Sequence, residues 1–453
     1  MNIIGTDMAA KEKKTKKIMK IIIILIVVLL LISVALFGVI YYLQGKQFKF
    51  SIDGKTIGSS AYASDLFVFE GNEVYVSIKD ISTLVNYNYF NGGYKEYTES
   101  EERCYLESAN EIVTFENESD IIYKTPENEI DYTYYKINAP IKRMNDKLYI
   151  TMEGLCNACN LQMSYNKKSN KIVVYTLQYL TNYYMKKYTN AAIADNFNNQ
   201  KALLYGLLVV QNVPNTSKAN TNNIRYGINN LNNEEIVGMK YTQVDFIEGT
   251  EEFIVTTEEK KVGIITSEGI TKVSPQYESL KQIDKDLNLY LAKLNGKYGV
   301  VEKNGKILIY MEYDQIGIDP TQYQTNNIKN KYILFDNAIP VKRDGVWGMF
   351  DVKGNIILPI EYVGLGCISR NSVPGRTTNN ILTIPEIKGI VISKPYEIDK
   401  KKYVYYGIID EQGNELVPPY LETVYSIIEN GKETYTMINN GNSINVIDYV
   451  QKQ

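Results

Sequence analysis

The chain of 453 residues contains no histidine, one tryptophan, four cysteines and twelve prolines. The missing histidine excludes Ser-His-Asp and Cys-His nucleophiles, a His-ligated zinc centre and most proton shuttles that titrate near neutral pH. Carboxylates, lysines and tyrosines are what remain for catalysis. A basic stripe is also missing beyond the first twenty residues, and Lys+Arg number 49 against 52 Asp+Glu, so nucleic acid is not an expected partner. There is no G-x-S-x-G or P-loop sequence. Asp284 to Asn288 opens like a calcium loop, but Leu289 and Asn295 stand where Gly and Glu are required. Gly364-Leu-Gly366 is followed by Ser369 where a phosphate-binding loop needs a third glycine. Paired acids such as Glu101-Glu102, Glu251-Glu252 and Glu258-Glu259 would point to opposite faces of a strand. No cofactor and no metal is expected.

Charge is absent over one more stretch, the 23 residues from Ile21 to Leu43. At about 1.5 Å per residue such a helix crosses a hydrocarbon core of about 30 Å. Lys11, Lys13, Lys14, Lys16, Lys17 and Lys20 precede it, which predicts a cytoplasmic N-terminus and an extracytoplasmic bulk. A cleaved signal peptide would need a shorter apolar core and small residues at its end, whereas Val39, Ile40, Tyr41 and Tyr42 are bulky. The lipid bilayer is thus one expected partner. Beyond residue 43 there are 43 Lys+Arg and 50 Asp+Glu, a charge of −7, so the exported part has no electrostatic affinity for anionic polymers.

What is abundant is tyrosine, 39 residues, and much of it falls on a ruler. A bulky residue followed by Gly occurs at Tyr226-Gly227, Val262-Gly263, Tyr298-Gly299, Trp347-Gly348 and Tyr406-Gly407. Six residues past each Gly stands a turn residue: Asn233, Gly269, Gly305, Gly354 and Gly413. Fourteen past comes Tyr241, Tyr277, Tyr313 or Tyr362, and in the last copy Tyr420 arrives one residue early. Fixed-period self-similarity marks a repeat architecture. Asn295-Gly296, Asn304-Gly305 and Asp344-Gly345 predict two-residue type I′ hairpin turns, because both central residues need positive φ. A Gly within a strand implies close approach of a neighbour, expected to be a side chain of the next repeat lying flat over it. The Gly-to-Gly spacings of 36, 36, 49 and 59 put the added length between repeats, notably from Gly364 to Lys402. The final stretch from Tyr435 is degenerate, as a terminal cap would be.

This pattern resembles the WG repeat, W-G-x-x-D-x-x-G-x-x-x-x-P-x-x-Y-D. Trp347-Gly348, Asp351, Gly354, Pro359 and Tyr362 match most fully, with Pro359 one residue early. Tyr298-Gly299, Gly305 and Tyr313-Asp314 match in part, as do Gly263, Gly269, Pro275 and Tyr277. The resemblance covers about 224–450 and implies a β-hairpin array with no defined activity.

Residues 48–178 read as two related halves. Phe69 to Ile78 alternates as a half-buried strand and runs into Lys79 to Val85, whose Ile81, Leu84 and Val85 share a helical face. Met144 to Met152 does the same and runs into Glu153-Gly-Leu-Cys-Asn-Ala-Cys, followed by a hairpin from Met163 to Tyr175. Gly71-Asn-Glu-Val-Tyr-Val, Asp146-Lys-Leu-Tyr-Ile and Ser164-Tyr-Asn resemble the copper amine oxidase N-terminal-like domain, which is common on exported Gram-positive proteins. The resemblance implies a small α+β fold; it implies no copper, since imidazole ligands are absent. Cys156 and Cys159 share one face of a helix and read first as small apolar packing residues. Zinc would need four ligands. An exported location permits a disulfide, with Cys104 and one of this pair as the favoured arrangement.

The expected protein is mainly β: a basic tail (1–20), a single transmembrane helix (21–43), a small α+β domain (48–178), a linker with a short helix (179–223), and a β-hairpin repeat array (224–450), solenoid-like or propeller-like. The expected function is a non-enzymatic, membrane-anchored binding or scaffold protein of the cell surface, with a cell-wall or protein ligand. Glycan hydrolysis by two carboxylates, or an accessory or sensor role in a membrane complex, are the alternatives. Tyr-rich sheets invite glycan or peptide stacking, against which stands the reading of these rings as core and cross-strand pairs.

Overall fold

The structure is a computed structural model. It describes residues 26, 29, 32–33, 49–57, 66–71, 73–94, 102–127, 133–166, 171–188, 192–193, 196–212, 223–323, 330–367, 380–429 and 432–452. Of the run 21–43 only Ile26, Leu29, Ile32 and Ser33 are described, all helical and exposed; the rest of the expected membrane helix and the tail 1–20 lie outside the described residues. Among the described residues, no helix is long and apolar enough to cross a membrane. The chain divides into two compact units, 1–127 with 134–180 and 128–133 with 181–453.

In the first unit the two sequence halves begin alike. Strand Glu73–Ser77 runs into helix Ile78–Ile81, and Ser77 Oγ accepts from the Asp80 backbone N–H at 3.3 Å. Strand Lys147–Thr151 runs into helix Met152–Cys159, and Thr151 Oγ1 accepts from Gly154 N–H at 3.1 Å. A hydroxyl at each N-cap satisfies an otherwise orphaned donor and fixes where strand becomes helix. The two strands pair antiparallel, Thr151 opposite Tyr75 and Tyr149 opposite Ser77. The expected hairpin forms as Gln162–Asn166 with Lys171–Tyr175, and Lys49–Ile52 joins it in parallel. Between the halves lies a five-stranded sheet over 88–136 that the sequence reading did not assign. One cluster, including Phe50, Val76, Ile81, Phe115, Ile150, Leu155 and Val174, fills the interior.

The second unit is a row of six antiparallel sheets made from consecutive strands. The first uses Ala192–Ile193, Leu207–Gln211, Tyr226–Asn230 and Glu235–Tyr241. The third, for comparison, uses Ser279–Asp284, Leu289–Leu294, Lys297–Glu302 and Ile307–Tyr313. Residues 179–223, expected as a linker, therefore supply half of the first sheet: Leu207–Gln211 is buried throughout and pairs with Tyr226–Asn230. The array starts earlier than 224 because a repeat contains four strands, of which the bulky-Gly ruler marks only the third and fourth. Apolar clusters join each sheet to the next, as with Val209, Ile228 and Tyr241 against Val244, Phe253 and Val255. Equivalent clusters join the second and third, third and fourth, fourth and fifth, and fifth and sixth sheets. Among the described residues, none joins the sixth to the first. The sixth sheet has three strands, and helix Val446–Val450 follows it with Val446 fully buried in the last cluster.

Candidate functional site

The repeated residues occupy equivalent places, and each has a physical reason. The bulky residue and the +14 residue form a cross-strand pair: Tyr226 with Tyr241, Val262 with Tyr277, Tyr298 with Tyr313, Trp347 with Tyr362 and Tyr406 with Leu421. In the fifth copy Leu421, fully buried, holds the slot; Tyr420 faces out and its Oη lies 3.1 Å from Tyr449 Oη. Tyr241, Tyr277, Tyr313 and Tyr362 are buried, each in the cluster shared with the next sheet. Burial raises the hydroxyls of Tyr277, Tyr313 and Tyr362, so they stay neutral.

The strand glycines face a bulge in their own sheet. Opposite Gly227, Gly263, Gly299, Gly348 and Gly407 the fourth strand carries extra residues, and a Cβ there would meet the carbonyl oxygen of Val237, Val273, Ile309, Leu358 or Val417 at 2.4, 2.5, 2.4, 2.8 and 2.9 Å. The neighbour is the fourth strand of the same repeat, its backbone at all five positions together with the Met311 and Ile360 side chains at Gly299 and Gly348. This corrects the expected side chain from the next repeat.

The turn glycines are the ones that meet a neighbouring repeat. Gly269, Gly305, Gly354 and Gly413 all have φ between +79° and +87°. A Cβ would meet Val237 Cγ2 at 3.0 Å, the Lys272 carbonyl at 3.5 Å, the Leu308 carbonyl at 2.6 Å and the Ile357 carbonyl at 2.2 Å, each on the fourth strand of the preceding sheet. The first copy has no preceding repeat motif to meet and carries Asn233 at φ 66°. Its side chain needs only the left-handed conformation that Asn tolerates. Asn295-Gly296 and Asp344-Gly345 have both φ positive, as type I′ turns require. Asn304-Gly305 does not: only Gly305 is left-handed, closing a turn in which its N–H donates to Glu302 O at 2.9 Å. The motif acids brace these turns. Asp351 Oδ1 accepts from Lys353 and Asn355 N–H at 2.9 and 2.7 Å, and Asp410 Oδ1 does the same for Gln412 and Asn414. Asp314 Oδ2 accepts from Asp344 N–H at 2.8 Å.

Several ring faces are covered by the chain's own cations. Lys293 stands 5.3 Å from the Tyr298 centroid, Lys342 5.3 Å from Trp347, Lys394 5.5 Å from Tyr362 and Arg343 5.7 Å from Tyr313. The ruler residues are thus taken up by packing, and ligand stacking has to be sought elsewhere.

One departure from the repeat offers a free surface. In the third sheet the hairpin between second and third strands ends at Leu294 opposite Lys297. In the fifth sheet, strands Gly389–Ile398 and Lys401–Ile409 continue through Pro395-Val404, Tyr396-Tyr403, Glu397-Lys402 and Ile398-Lys401, closed by Asp399 and Lys400 at φ 50° and 62°. At about 3.4 Å per pair, the ribbon reaches about 14 Å farther. Tyr396, Ile398, Tyr403 and Val404 are 38, 49, 42 and 46% exposed. Pleating puts Tyr396, Tyr403, Ile398 and Lys401 on one face, and Tyr405 packs edge-on to Tyr396 at 5.5 Å. The sequence reading placed this length in loops. Its alternation around Asp399-Lys400 was the available signal, masked by a turn pair without Gly.

The cysteines are all free thiols. Cys104 and Cys159 are buried and Cys156 half-buried, in or against one cluster. Burial pushes Cys104 and Cys156 up to about 12. The disulfide that an exported location would permit is not formed, and the three thiols pack in or against the core cluster. Among the described residues, no group of three or more Cys, Asp and Glu side chains is arranged to hold a metal ion.

A family model described as "WG containing repeat" matches residues 298–318 and 406–442. These two stretches carry the WG repeat. The first match runs from the third strand of the third sheet through the first strand of the fourth, Gln315–Ile316, and the second runs from the third strand of the fifth sheet into the sixth. No curated protein matches the chain. Among solved structures, a eukaryotic initiation factor is similar at 10% identity over 72% of this chain and 88% of its own, with a TM-score of 0.25. The Dos1 propeller is similar at 13% identity over 63% and 76%, TM-score 0.20. PorZ, a surface component of the type-IX secretion system of Porphyromonas gingivalis, is similar at 6% identity over 75% and 51%, TM-score 0.19. Likenesses at these TM-scores carry no weight for function.

Proposed function

We propose that this WG-repeat protein is a non-enzymatic scaffold of the cell surface. The lysine-rich tail stays in the cytoplasm, 21–43 spans the bilayer, and the stacked sheets stand outside. The ribbon 395–404 makes the contact with a wall or protein ligand. The observation that carries this reading is the division of labour within the array. The ruler residues hold sheets together, while the fifth hairpin spends four extra strand pairs on exposed Tyr, Ile and Val. An exposed apolar ribbon of that kind marks an interaction surface, and a two-stranded ribbon has little stability of its own.

The test is retention of purified cell-wall material by the detergent-solubilised full-length protein. Retention without turnover is expected, lost when Pro395–Val404 is replaced by an Asn-Gly turn. Release of soluble sugars would overturn the reading in favour of glycan hydrolysis. Neither retention nor release would leave the accessory role in a membrane complex.

A further inference from the structure

Strand Ile121–Pro126 of the first unit alternates so that Ile122 and Lys124 face the same side. Both are buried, Lys124 to 3% exposure, in a slot where an aliphatic residue would ordinarily sit. Burying an ammonium group is costly unless its surroundings compensate. Its Nζ donates to Asn160 Oδ1 at 3.1 Å and lies 4.9 Å from the Tyr135 ring centroid. Asn160 is the C-cap of helix Met152–Cys159, left-handed at φ 53° and ψ 53°, and only 4% exposed. Its Nδ2 donates to Glu111 Oε1 at 2.6 Å. Glu111 is 3% exposed and also accepts from Tyr87 Oη at 2.8 Å. An amine, a carboxamide and a carboxyl group, from three different elements, thus meet out of contact with bulk water.

The geometry points to a self-catalysed amide bond between Lys124 Nζ and Asn160 Cγ. A carbonyl bond is about 1.23 Å long, so an Nζ hydrogen-bonded to Oδ1 lies no more than about 4.3 Å from Cγ. Reacting atoms held at about 3 to 3.5 Å react as if at very high concentration, and a small side-chain shift closes the gap. Glu111 takes one proton from the Lys124 ammonium, leaving an amine with a free electron pair. The amine attacks Cγ, forming the N–C bond while the carbonyl π electrons move to Oδ1. As the carbonyl re-forms, the Cγ–Nδ2 bond breaks; Glu111 gives its proton to Nδ2 and takes another from Nζ. Ammonia leaves, Glu111 keeps one proton, and the atoms balance: an ammonium, a carboxylate and a primary amide become a secondary amide, a carboxylic acid and ammonia. No oxidant or cofactor is needed. A buried ammonium and a buried carboxylate are exchanged for neutral groups, which the apolar surroundings favour. The product ties the end of helix Met152–Cys159 to strand Ile121–Pro126 of the five-stranded sheet. Read only as a hydrogen-bonded network, the same residues would leave the chain's mass unchanged.

Denaturing mass spectrometry of the full-length chain, purified in detergent and reduced, separates the two. The cross-link removes one ammonia, so the native chain is expected about 17 Da below its encoded mass. Proteolysis should yield one branched peptide joining the segments that contain Lys124 and Asn160. Lys124→Arg, which keeps the charge and removes the amine nucleophile, and Glu111→Gln are each expected at full encoded mass. Ring closure at an Asn-Gly pair such as Asn295-Gly296 also loses ammonia, so the branched peptide decides the location. A native chain at its encoded mass, or a loss mapped to any other residue, overturns the cross-link.

Discussion

Tyr277 and Tyr310 show how little residue type says about role in this chain. Tyr277 is 1% exposed in the cluster between the second and third sheets, while Tyr310, on the fourth strand of the third sheet, is 68% exposed. Tyr277→Ala is expected to cost about 3 to 5 kcal/mol of stability, as removal of a buried ring does. Tyr310→Ala should stay within about 0.5 kcal/mol of the native chain. Denaturant midpoints of the two variants check this, and equal losses would contradict the assignment. Titration gives a second residue-scale prediction. Burial raises Cys104 from 9.0 to about 12 and Tyr323 from 10.0 to about 12. Both groups bind their proton more tightly folded than unfolded. Their contribution is complete below pH 9 and pH 10 respectively, and is lost as pH rises toward 12. Each group contributes a slope of about 1.4 kcal/mol per pH unit in its window. Thermal melts from pH 8 to 12 should fall with a shallower slope in Cys104→Ala; an unchanged slope would contradict this.

At the scale of elements, the ribbon and the first sheet mark where sequence reading stops. Third and fourth strands were legible because backbone geometry dictates residue identity there. A bulge carbonyl within 3 Å admits only Gly, a left-handed turn favours it, and the cross-strand slot between sheets accepts a large ring. First and second strands carry no such constraint. Leu207–Gln211 therefore read as linker, and the hairpin's length up to Lys402 as a stretch between repeats. A Gly within a strand signals a close neighbour, but sequence does not say whether that neighbour is a side chain or the chain's own bulge. The ribbon is also where an element can be removed cleanly. Joining Lys394 to Tyr405 through Asn-Gly restores the hairpin length of the third sheet. The array's melting temperature is expected to change little, because every residue from Pro395 to Val404 is exposed. A large loss of stability would mean that the ribbon packs against the array.

At the largest scale, each sheet of the second unit buries a face against the next, so that its stability is a sum of repeat and interface contributions. The proposed placement outside the membrane predicts that protease added to intact cells removes a C-terminal tag and spares an N-terminal one; the reverse pattern would contradict that proposal. The stacking is tested most directly by one matched alanine series. Gly296 and Gly345 have positive φ and nothing within 4 Å of an added Cβ, so alanine there carries only backbone strain, about 1 to 2 kcal/mol. Gly354 and Gly413 have the same φ but would meet the Leu308 and Ile357 carbonyls of the preceding sheet at 2.6 and 2.2 Å. Unfolding of the four variants under one set of conditions should place Gly413→Ala and Gly354→Ala well below Gly296→Ala and Gly345→Ala. Four equal losses would mean that the turn glycines touch no neighbouring sheet, and the serial stack would be wrong.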